Sequence, residues 1–86
     1  PAFGHLVLCA AFLTAARRAL KEGGGRGLEL ILKVHPGSVS WMRGMHNASC
    51  NLLKRDFGLR RVDVAPDPAL AEDEIAVQDG RIIKVW

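Results

Sequence analysis

Leu28-Glu29-Leu30-Ile31-Leu32-Lys33-Val34-His35-Pro36 is the stretch whose reading decides the fold. Leu28, Leu30, Leu32 and Val34 fall on one face of an extended chain, and Glu29, Ile31, Lys33 and His35 on the other. Period-two alternation with one apolar and one mostly polar face predicts a strand in a sheet covered on one side. Pro36 cannot extend a hydrogen-bond ladder, and Gly37-Ser38 supplies a turn with Ser38 as a candidate helix cap.

Upstream, residues 4–21 carry Leu6, Cys9, Leu13, Ala16 and Leu20 at intervals of three and four, one face of a helix. Alanines favour the helix, and Arg17, Arg18 and Lys21 suit the negative end of its dipole. Val7, Leu8 and Phe12 widen the apolar surface, so this helix is expected to be covered on two sides or to meet a partner. Gly23-Gly24-Gly25-Arg26-Gly27 ends it. A phosphate-cradling loop follows a strand and opens a helix. This run does the reverse.

Downstream, Val39, Met42, His46, Ser49 or Cys50, Leu53 and Phe57 again keep helical spacing. Gly44 and Asn47 interrupt the stripe. Either the helix kinks there, or a short helix ends near Gly44 and a second is capped by Asn47. Gly58 reads as the residue closing the helix. A short strand over 59–65 turns Val62 and Val64 inward, and Pro66-Asp67-Pro68 stops it. Two further strands surround Gln78-Asp79-Gly80. A three-residue loop with a left-handed glycine pairs Ile75 with Ile83, Val77 with Arg81 and Glu74 with Lys84. A two-residue Asp-Gly turn would instead set Lys84 among the isoleucines, so the three-residue loop is preferred. The expected fold is a two-layer α+β sandwich in the order α-β-α-β-β-β. A strand–helix–strand crossover and a terminal hairpin build a small mixed sheet with the helices on one face.

The 86 residues make one small domain, 1–86, near the lower size limit for a single core. Because position 1 is proline, the domain is expected to be a fragment or trimmed part of a longer chain. A net charge of +3 is dispersed over both halves, and aromatic content is only 6% with no tyrosine. A nucleic-acid surface wants focused charge and stacking rings. The longest apolar run, residues 6–13, is too short to span a bilayer and has no basic segment before it. No membrane insertion is expected, and a cytoplasmic location is.

His5 and Cys9, like His46 and Cys50, stand four apart, the spacing of paired ligands on a helix, and together would make a Cys₂His₂ set. Their apolar surroundings favour buried thiols instead. His35 reads as a surface or hydrogen-bonded residue. Asp67, Glu72, Asp73, Glu74 and Asp79 read as solvated loop charges, and the sequon Asn47-Ala48-Ser49 is discounted for want of a secretory signal. No catalytic residue, metal or cofactor is expected. Phe12, Trp41, Met42 and Trp86 are the candidates for a partner interface, with core packing the alternative for each.

Three pieces carry a family resemblance: residues 32–36 ending in His35-Pro36; residues 62–70 ending in Asp67-Pro68-Ala69-Leu70; and Glu74-Ile75-Ala76-Val77 followed by Gly80-Arg81-Ile82. This pattern resembles the C-terminal domain of the stator proteins that regulate export ATPases in flagellar and type III secretion systems, itself similar to the peripheral-stalk E subunits of rotary ATPases. Gly37-Ser38 stand where that family has acidic residues, and Ala71-Glu72-Asp73 where it has a Gly-Cys-like turn. The resemblance implies an α+β domain that binds the N-terminal region of the ATPase as a homodimer and has no activity of its own. A second resemblance is to the small C-terminal domain of the ribonuclease E/G family, through Trp41-Met42 after the proline corner and the acidic turn from Asp63 to Glu74. The zinc-linking cysteines of that family are missing around residues 1–9, and its catalytic carboxylates lie in another domain. It implies a role in assembly and RNA placement.

Overall fold

The computed structural model describes residues 2–23, 29–78 and 80–86. Helix α1 (Ala2–Gly23) precedes strand β1 (Glu29–Val34), and a one-turn 3₁₀ segment at Pro36–Ser38 leads into α2 (Val39–Arg43). A second such turn at Met45–Asn47 separates α2 from α3 (Ala48–Phe57), and β2 (Arg61–Pro66), β3 (Glu74–Ala76) and β4 (Ile82–Lys84) follow. The four strands form one mixed sheet in the order β2-β1-β3-β4. The fold is α+β, as the sequence pattern implies.

Strand β1 runs parallel to β2 with Leu30 opposite Val62 and Leu32 opposite Val64, and antiparallel to β3 with Val34 opposite Ile75. Its exposure alternates strictly, with Leu30, Leu32 and Val34 inward and Glu29, Ile31 and Lys33 outward. Leu32, Val34, Ile75, Phe12, Met42 and Leu53 are fully buried in a single core between sheet and helices. Each such side chain contributes about 1.5–3 kcal/mol relative to exposure. The helices all lie on this one face. The hairpin takes the three-residue loop: Glu74 faces Lys84, Ile75 faces Ile83, and the Val77 amide donates to the Arg81 carbonyl at 2.9 Å. Gly80 sits at φ +94°, the left-handed position that this loop demands. Asp79, in the same loop, and the glycine run from Gly24 to Gly27, with its phosphate-loop alternative, lie outside the described residues.

Three local expectations are corrected. The buried stripe of α1 is Cys9, Phe12, Ala15, Ala16, Ala19 and Leu20, while Leu6 is 50% exposed and Leu13 half-buried. Phe12 has far more surface to bury than a leucine at the rim. The alanines beside it let α1 approach α2 closely, so the face turns toward Phe12. Secondly, Ser38 precedes α2 without capping it; its buried hydroxyl donates to the Glu72 carbonyl at 2.8 Å. Thirdly, Asn47 starts α3 without a side-chain cap, because its backbone is itself left-handed at φ +61°. The split-helix alternative is the one realised. Gly58 closes α3 in the left-handed region as expected.

Gly44 makes the split possible. It sits at φ +76°, and a Cβ there would lie 2.6 Å from Ser49 Oγ and 2.9 Å from the Ser49 amide nitrogen. Gly58 is also left-handed, but a Cβ there would meet open space. Gly44→Ala therefore combines a conformational cost with a backbone clash and should lose about 2–4 kcal/mol, against about 1–2 for Gly58→Ala. Urea unfolding checks this by midpoint, with the slope unchanged. Ser38→Ala should cost about 1–3 kcal/mol by leaving the Glu72 carbonyl without its donor.

Candidate functional site

The corners after β1 and β2 are built against each other. The Asp67 amide donates to the Val34 carbonyl at 2.7 Å, prolonging the parallel ladder past Pro66. Asp67 Oδ1 accepts from the Ala69 amide at 3.0 Å, and the Leu70 amide returns to the Asp67 carbonyl at 3.1 Å. His35 Nδ1 accepts from the Gly37 amide at 3.0 Å, so this histidine is engaged in its own turn. Glu74 Oε1 accepts from the Ala71 amide at 2.7 Å, and Asp73 pairs with Lys84 Nζ at 3.0 Å, holding that ammonium above its ordinary pKa. Glu74 thus stands beside Lys84 in the ladder, but the ion pair goes to Asp73. The carboxylates of Asp67, Asp73 and Glu74 are each committed to a turn or a strand end.

These corners frame an uncovered sheet face. Outward-facing Ile31 and Lys33 on β1, Ala76 on β3 and Ile82 on β4 join Asp67, Leu70 and the hairpin bend at Gln78 and Gly80 around a shallow hollow of about 500 Å³. Ile31 is 41% exposed and Ile82 56%. Lys33, Ala76 and Ile82 are consecutive cross-strand neighbours, which gives the hollow an apolar floor with one cation in it. Period-two reading alone places these isoleucines on the polar parity of their strands. The misplaced apolar residue was the available signal.

The four residues singled out as interface candidates fare differently. Phe12 and Met42 have 0% exposure, so their surface is spent inside the domain. Trp41 is half-buried, its ring centroid 5.9 Å from that of Phe12. Trp86 lies edge-on to Phe12 at the same 5.9 Å but keeps 62% of its surface open. Phe12 is thus the centre of an aromatic cluster, and only Trp86 offers substantial area to a partner. Leu6, Val7 and Met45 add further exposed apolar surface.

A second hollow, of about 380 Å³, lies on the helix side of the sheet, where α3 meets the edge strand β2. Arg43, Asn47, Asn51 and Lys54 supply polar groups around it, with Cys50, Val62 and Val64 as its floor. Asn47, Asn51 and Lys54 share one face of α3 by their spacing of four and three, a signal present in the sequence but not singled out there. Among the described residues, no three His, Cys, Asp or Glu side chains converge where they could hold a metal ion. Cys9 and Cys50 are both free and buried. No helix among those residues is long and apolar enough to cross a membrane. The chain matches no protein-family model, no curated protein and no solved structure.

Burial raises both thiols above the ordinary value of 9.0; Cys9 is partly offset by its own backbone hydrogen bond, and Cys50 by Arg43 and Lys54, while Asp63 adds to the rise. A thiol whose folded pKa exceeds its unfolded one stabilises the fold fully below the unfolded value. That contribution is lost as pH rises through the folded value. Unfolding free energy should therefore be insensitive to these groups at neutral pH and fall above about pH 9, where unfolded thiols ionise first. Urea midpoints at pH 7 and pH 10, compared with those of Cys50→Ala, check the sign.

Proposed function

We propose that this chain is a non-catalytic docking domain that binds the ATPase of a secretion or rotary-ATPase-like machine through the open face of its sheet. The observation that carries the reading is the hollow around Ile31, Ala76 and Ile82. Two pieces of sequence that carry the stator resemblance line it: the Asp67-Pro68-Ala69-Leu70 turn and the Gly80 bend. The third, the His35-Pro36 corner, is tied in through the Val34–Asp67 hydrogen bond. An apolar centre with charged surroundings, here Lys33 and Asp67, is the usual anatomy of a protein–protein contact. Such a domain needs no chemistry of its own; it works in the cytoplasm by placing the ATPase, and as a homodimer it would present two such faces. The ribonuclease-like reading leans on Trp41-Met42. Met42 is fully buried and Trp41 packs against Phe12, so that pair supports core packing and the docking reading is preferred.

Titration calorimetry of the intact chain with the N-terminal region of an export ATPase tests the proposal. Ile31→Lys and Ile82→Lys should each weaken binding at least tenfold, in the manner of contacts at the centre of an interface. Being surface changes, they should leave stability within about 0.5 kcal/mol. Absence of binding by the folded chain would sink the reading, as would full affinity in the double variant. Light scattering across a concentration series tests the dimer.

A further inference from the structure

We propose that the hollow between α3 and the edge strand β2 binds the phosphate group of a nucleotide-sized ligand. It lies on the helix side of the sheet, so it is separate from the docking face and stands or falls independently of it.

Two cations reach this hollow from different elements. Lys54 comes from the C-terminal half of α3, and Arg43 from the last position of α2. The break between the helices brings them to one place: Gly44 at φ +76°, His46 at φ +54° and Asn47 at φ +61° reverse the chain, so that the end of α2 faces the side of α3. Two consecutive left-handed residues other than glycine are uncommon. Among the described residues the side chains of Arg43 and Lys54 make no hydrogen bond or ion pair, whereas those of Arg17, Arg55, Arg61 and Lys84 are all matched to carboxylates. The one acid on the rim, Asp63, is held by Arg61 Nε. Arg43 and Lys54 outnumber this one acid, so the lining carries a net positive formal charge. Arg43 and Lys54 both act on the Cys50 thiol at its floor against the effect of burial, and Asp63 acts with burial.

The lining suits a phosphate ester. A guanidinium presents paired donors to phosphate oxygens, an ammonium adds a point charge, and the amides of Asn47 and Asn51 can donate to the remaining oxygens. Val62 and Val64 are buried and only close the back of the hollow, so its accessible lining is almost wholly polar, as a phosphate group requires. About 380 Å³ falls in the range of small-molecule sites. The phosphate could belong to a free nucleotide or to the backbone of single-stranded RNA, and the probes below separate the two.

Amide and side-chain NMR shifts of the intact chain, titrated with AMP and with a ten-nucleotide single-stranded RNA, test the proposal. Saturable shifts should centre on Arg43, the amide groups of Asn47 and Asn51, and Lys54. The pair Arg43→Gln and Lys54→Gln should weaken binding at least tenfold, while Arg18→Gln with Lys21→Gln on α1 leaves it unchanged. Unfolding midpoints confirm that both double variants fold. Comparable affinity for AMP and RNA supports the site with a free nucleotide as its ligand. Much tighter binding of RNA, falling steeply with salt, supports the site with a strand's phosphates in it. Shifts spread over Arg18 and Lys21, equal losses in both double variants, or no saturable shift with either probe would overturn it.

Discussion

The domain depends on one constraint: β1 is paired along both edges but dry on only one face. Leu30, Leu32 and Val34 must be covered, and every helix packs on that side to cover them. The parallel partner β2 can be reached only by a crossover, which α2 and α3 provide; the antiparallel partner β3 arrives through the tight turns after Pro66. With both helical segments committed to the inner face, the outer face of the sheet stays open. The feature proposed to be functional is thus the far side of the feature that makes the domain fold.

The edges of that open face are held by polar bonds. Val34 O, Asp67, Ser38 and the Glu72 carbonyl tie the two strand-end corners together, and the Val85 amide donates to the Asp73 carbonyl at 2.7 Å beside the Lys84–Asp73 pair. On the helix side, Arg81 Nη2 donates to the Ala19 carbonyl at 2.9 Å, fastening the hairpin to α1. A hairpin of three-residue strands has little stability alone. These tethers, with Ile75 and Val77 in the core, keep it in the sheet.

Where a local rule had one solution, reading residues in order sufficed. The hairpin register followed from the need to keep Lys84 away from Ile75 and Val77, and the end of β1 followed from Pro36; Pro66, expected to stop the next strand, is instead its last residue, paired with Val34. The rules failed where several groups competed for one role. Ser38 and Asn47 both have capping side chains; Ser38 met the carbonyl of Glu72, thirty-four positions away, and Asn47 was consumed by a left-handed backbone. Residues 6–13 of α1 are all apolar, so spacing alone left the phase of the buried face undetermined.

The sequence by itself determined which segments are strand and helix, the mixed character of the sheet and the pairing of its last two strands, because those depend on periodicity and on residues that stop a ladder. Only the tertiary structure decided that Phe12 and Met42 are core while Trp86 is exposed, that Ile31 and Ile82 share a hollow, and that Arg43 and Lys54 line another. Each of those depends on how separate elements come together. Burial of a side chain depends on what arrives to cover it, and residue order carries no local record of that arrival.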